Sequence, residues 1–146
     1  MFYEALGSLL GQAGSALDSS SGDAMPADGR TQRESRQIAL LLRRTRAIWP
    51  RLFASLARET SILRQGLDEA NSVLTSRGLA PCSAEADDDP LLTYRRMGRA
   101  LDRAVERLAS LADQDWAADA LVALRRRLAE AEAVQGRLVD QMLSTR

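Results

Sequence analysis

Histidine and lysine are both absent from this 146-residue chain, and cysteine occurs once, as Cys82. Without histidine there can be no Ser-His-Asp or Cys-His arrangement and no usual zinc-bound water, and the commonest neutral-pH acid/base is missing. Without lysine there is no Schiff-base chemistry and no phosphate-loop lysine. No catalytic residue, cofactor or metal is therefore assigned, and the chain is expected to be non-enzymatic. One cysteine allows no intrachain disulfide and fits a reducing, cytoplasmic setting. Aromatics make up only 4% of the residues. No apolar run approaches the ~20 residues of a membrane-spanning helix, so no span is expected. The first residues carry Glu4 and no arginine, with Gly7 and Ser8 interrupting the apolar positions, unlike an export signal.

What is present is 45% hydrophobic and 27% charged, with 20 acidic and 20 basic residues, the profile of a small soluble domain. All the basic residues are arginine, which reads first as the coding bias of a GC-rich gene. Residues 18–30, DSSSGDAMPADGR, hold almost nothing to bury and read as a flexible linker. The expected organisation is an amphipathic N-terminal segment over 1–17, that linker, and a helical bundle domain over 31–146.

The end signals of the bundle's helices can be read directly. Thr31-Gln32-Arg33-Glu34 matches a capping box and predicts a helix from Gln32. Arg77-Gly78-Leu79-Ala80-Pro81 predicts its end near Arg77, with Gly78 in the left-handed conformation and Leu79 packing back on Leu74. Ile38, Leu41, Leu42, Ile48, Trp49, Leu52, Phe53, Leu56 and Leu63 form one apolar stripe between these ends. The stripe runs through Pro50, where nothing caps a new start, so a continuous, kinked helix is expected rather than two. Asp89 as cap before Pro90 starts a second helix over 90–112, and Asp87-Asp88-Asp89 is read as that helix start rather than a metal site. Met97, Leu101, Val105 and Leu108 should face inward, with Arg95, Arg96, Arg99, Arg103 and Arg107 outward. The apolar phase then jumps, placing a turn at 113–115, an N-cap at Asp115 and a third helix over 116–143. The fold class expected is all-α, an antiparallel helical bundle with one long, kinked first helix and a C-terminal helical hairpin.

Two kinds of surface stand out. Phe2, Leu6, Leu9 and Leu10 belong to an N-terminal apolar stripe backed by glycines, too weak to be helical alone. It docks either on its own bundle or in a partner groove. Trp49 and Phe53, one turn apart, serve either as bundle core or as an interaction patch. Arg36, Arg43, Arg44, Arg51 and Arg58, with Arg33, form a basic face opposite the stripe, which is a solvated face, a site for an acidic protein or a phosphate-tracking surface. The whole-chain pI of about 6.3 and the lack of aromatics among these arginines disfavour nucleic acid.

Length adds a further expectation. A first helix of roughly 69 Å outruns neighbours of about 35 and 42 Å. Its excess apolar length must meet a bend at Pro50, the N-terminal segment or a second chain, and a homodimer is expected.

Leu56-Ala57-Arg58-Glu59-Thr60-Ser61-Ile62-Leu63-Arg64-Gln65-Gly66 resembles the L-x-x-E-x-x-x-L-x-x-G rhythm of FlgN-type flagellar export chaperones. The final helix, Leu124 to Leu143, is similar in outline to their partner-binding helix. The likeness covers about a third of the chain, which differs by its N-terminal extension and by lacking asparagine in the last helix. The resemblance implies a cytoplasmic chaperone that holds an export substrate through amphipathic helices. The function expected is a helical protein-protein interaction module, adaptor or chaperone-like, with another protein as partner; the alternative is an arginine-rich nucleic-acid binder.

Overall fold

Stripe phase and end signals both call for helices, and the computed structural model, which describes residues 2–20 and 29–144, is an all-α helical bundle. Its elements are α1 (Phe2–Ser20), α2 (Gly29–Ser76), α3 (Pro90–Ala109) and α4 (Asp115–Ser144), with no strand among the described residues. Helix α1 continues to Ser20, three residues into the expected linker, and residues 21–28 lie outside the described residues. Helix α2 starts at Gly29 rather than Gln32, so Thr31 lies within its first turn instead of capping it. It continues through Pro50 to Ser76, 48 residues in all. No helix among the described residues is long and apolar enough to cross a membrane.

The chain divides into two compact units, with a boundary inside α2 at Pro50 that its uninterrupted stripe does not show. The first unit holds α1, α2 up to Pro50 and the end of α4 from Asp140. Here Tyr3, Leu6 and Ala13 of α1 are buried, as are Thr45 and Ile48 of α2. An isolated α1 with three interior glycines would be marginal, so this tertiary burial is what stabilises it.

The second unit runs from Arg51 to Val139. Helix α2 contributes Leu56, Ile62, Leu63, Leu67, Ala70 and Leu74 to its core. Helix α3 adds Met97, Ala100, Leu101, Ala104 and Leu108, and α4 adds Ala117, Leu121, Leu124, Ala131 and Val134. The expected inward residues of α3 are buried except Val105, which is half-buried. Small residues let the helices approach closely. A Cβ built on Gly66 would lie 3.0 Å from Arg127 Cβ and 3.3 Å from Leu124 Cδ1, so α4 occupies the space an alanine would need.

The ends of these helices follow the capping chemistry. Gly78 has φ 73°, its N–H donates to Thr75 O at 3.0 Å, and the Leu79 N–H donates to Leu74 O at 3.0 Å. These are the two bonds of a Schellman motif, and Leu74, the residue at which the motif places its hydrophobic partner, is fully buried. Asp89 caps α3 by accepting from Leu91 N at 2.8 Å, with Pro90 at the first helical position. Helix α3 stops at Ala109, three residues short of expectation, because Leu111 and Ala112 turn back through i→i−3 bonds. Asp115 is the first residue of α4 rather than its cap; the carbonyl of Gln114 accepts from Ala118 N at 3.1 Å.

Candidate protein-interaction surface

The first half of α2 presents two sides whose character follows from helical spacing. Thr45 and Ile48 face the interior of the first unit. Ala39, Leu42, Arg46 and Trp49, spaced 3, 4 and 3 apart, are exposed. At about 100° per residue they fall within roughly 80° of one another. Leu42 is 44% exposed and Trp49 51%. The expectation that all apolar positions of α2 share one buried stripe is thus corrected: the stripe is wider than the face the unit covers. Ile38 and Leu41 are half-buried at its edge, while Leu42 and Trp49 lie beyond it. Phe53, one turn further along α2 in the second unit, is 60% exposed. The core role considered for Trp49 and Phe53 does not hold.

Arg36 and Arg43 are exposed and border this side away from Thr45 and Ile48. Arg51 and Arg58 are exposed in the second unit. Arg44 differs from these, being half-buried, with a buried Nε that has no hydrogen-bond partner. The basic face is therefore not one uniform row, since Arg44 is tucked against its own unit.

The N-terminal stripe is largely used within the first unit. Leu6 is buried, Phe2 and Leu10 are half-buried, and Leu9 remains 44% exposed. A side chain already buried this way is not offered to a partner groove, so Leu6 leaves the candidate surface.

A polar cluster in the second unit went unassigned in the sequence reading. Glu59 of α2 is only 2% exposed, and its Oε1 accepts from Tyr94 Oη at 2.6 Å and from Gln135 Nε2. Gln135 Nε2 also lies 2.9 Å from Tyr94 Oη, so α2, α3 and α4 meet at one set of hydrogen bonds. The signal that could have found it is the position of Glu59 between Leu56 and Leu63, at core spacing in an otherwise apolar stripe. Two to three turns along, Arg127 of α4 pairs with Glu69 of α2 at 2.6 Å and with Glu130 at 3.1 Å. The Glu69 carboxyl is held below its usual range, chiefly by that hydrogen bond from Arg127, and the Arg127 guanidinium is pushed up in return. Both groups are solvent-accessible, so the pair fixes register more than it adds stability.

Along α3, three of the expected outward arginines bond to the segment 80–87. Arg107 Nη1 donates to Ala80 O at 2.8 Å, Arg103 Nη2 to Ser83 O at 2.9 Å, and Arg96 pairs with Asp87 at 2.9 Å. Cys82 in this segment is buried, its backbone clasped by the Asn71 side chain through bonds of 2.7 and 2.8 Å. Two open hollows of about 540 and 250 Å³ flank Ser83 and Arg103, and Glu85 and Glu106 line them together with the arginines. Arginines outnumber acids here, but Arg96, Arg103 and Arg107 are already engaged by Asp87 and by the backbone carbonyls of Ser83 and Ala80. No group of three or more metal-ligating side chains occurs among the described residues.

No protein-family profile, curated protein or solved structure matches the chain.

Proposed function

We propose that this chain is a non-enzymatic, helical protein-binding module, an adaptor or chaperone-like protein of the cytoplasm, whose contact surface is the exposed side of α2. The single observation that carries this reading is the exposure of Leu42 and Trp49, seven residues apart on the same side of one helix. Tryptophan is the side chain most enriched where interfaces concentrate their binding energy, and half of this one lies in water. The length argument for a homodimer has lost part of its force, because α1 shares a compact unit with the first half of α2. Self-association through the exposed residues remains one way to cover them.

Nucleic-acid binding is the second reading, favoured by the exposure of Arg36 and Arg43. Affinity capture with the wild-type chain and with Leu42→Asp and Trp49→Ala separates the two. The protein-binding reading expects one captured protein to be lost from both variants and retained by Leu92→Asp, which alters an exposed leucine elsewhere. An unchanged capture profile would count against it, as would a duplex complex that weakens steeply between low and moderate salt.

A further inference from the structure

We infer that the exposed side of α2 in the first unit takes an amphipathic helix of another protein whose flanking positions are acidic. This rests on the reading of that side as a protein contact and adds the chemistry of the partner. The spacing of Ala39, Leu42, Arg46 and Trp49 is the 3-4-3 interval of a coiled-coil seam, which a second helix fills with knobs of the same interval. Charge selects which helix. Residues 29–50 carry six arginines against one glutamate, Glu34, and no aspartate. Arg36 and Arg43 border the seam and Arg46 sits within it, all exposed. None of the ion pairs among the described residues involves them.

A helix with glutamate or aspartate beside its apolar seam would meet those guanidiniums. A second copy of this chain would instead bring Arg43 and Arg46 against arginines, since the same helix supplies both sides of the contact. A nucleic-acid duplex would gain from the arginines but leave Leu42 and Trp49 unmatched.

The test uses the full chain carrying Trp116→Phe, so that Trp49 is its only indole, and two synthetic peptides of four heptads. Both have leucine at the seam positions; one has glutamate at the flanking positions and the other lysine. Titration followed by Trp49 fluorescence should show the glutamate peptide binding with a blue shift. Its affinity should exceed that of the lysine peptide by about tenfold or more at low salt, the expectation for three exposed ion pairs. Arg43→Glu with Arg46→Glu should reverse the preference. Leu42→Asp should abolish binding of both peptides with unchanged helix content by circular dichroism. Equal binding of the two peptides overturns the acidic partner while leaving helix docking on α2 intact. Failure of the glutamate peptide to bind also overturns it. If Leu42→Asp still loses its captured protein in that case, the protein-binding reading survives the loss of the inference. A doubled mass by light scattering that Leu42→Asp returns to the monomer assigns the face to a second copy and overturns the proposal.

Discussion

Gly66 and Gly136 are both helical glycines, yet the space around them differs. A Cβ at Gly66 would press on Arg127 Cβ at 3.0 Å, an atom fixed to the α4 backbone, whereas nothing lies within 4 Å of one at Gly136. Gly136→Ala should therefore stabilise the chain by about 0.5–1 kcal/mol through helix propensity. Gly66→Ala should lose that gain to the crossing and destabilise by about 1 kcal/mol or more, read as urea midpoints of the full chain. Tyr94→Phe removes the 2.6 Å donor to buried Glu59 and should cost about 1–3 kcal/mol in the same measurement. Because Arg127 lowers the Glu69 pKa on folding, the stability from this pair is present above the unfolded carboxylate value and is lost as pH falls through the lower folded value. Glu69→Gln should flatten the acid limb of stability against pH slightly, and added salt should shrink the difference. The apolar members of the L-x-x-E-x-x-x-L-x-x-G stretch were legible as packing positions. The hydrogen-bonded role of Glu59 was not, because Tyr94 and Gln135 are 35 and 76 residues away in sequence.

At the scale of the elements, local signals carried some boundaries and missed others, since neither Thr31 nor Asp115 caps its helix. Gly78 and Leu79 at the end of α2, and Asp89 and Pro90 at the start of α3, formed the bonds their spacing demands. Gly78→Ala should cost about 1 kcal/mol from its positive φ alone, since the space beside it is open. Helix α2 proceeds through Pro50. Pro50→Ala should consequently restore an intrahelical hydrogen bond and raise thermal stability, with helix content unchanged or higher. A fall in helix content would contradict a continuous α2. What periodicity could not show is how much of an apolar stripe its neighbours cover. Trp49 and Ile48 are adjacent in sequence, but they sit 100° apart on the helix, and only Ile48 reaches the interior of its unit.

Across the whole molecule, the two compact units meet the sequence reading unequally. In the second unit stripe phase placed Leu56, Leu63, Met97, Leu101 and Leu108 correctly, but not Ile62, Leu67 or the alanines of α3 and α4 that share the core. In the first unit the glycine-rich α1 is buried along part of its stripe, and the first half of α2 keeps leucine and tryptophan in water under a dense arginine charge. That exposed side is the basis of the functional reading, and acrylamide quenching of Trp49 in the Trp116→Phe chain tests it most directly. Free chain at low micromolar concentration should show water-exposed emission and efficient quenching that do not vary with protein concentration. The glutamate-flanked helix should then shift the emission to the blue and protect the indole. Emission already blue-shifted and protected in the free chain would contradict an exposed contact surface on α2.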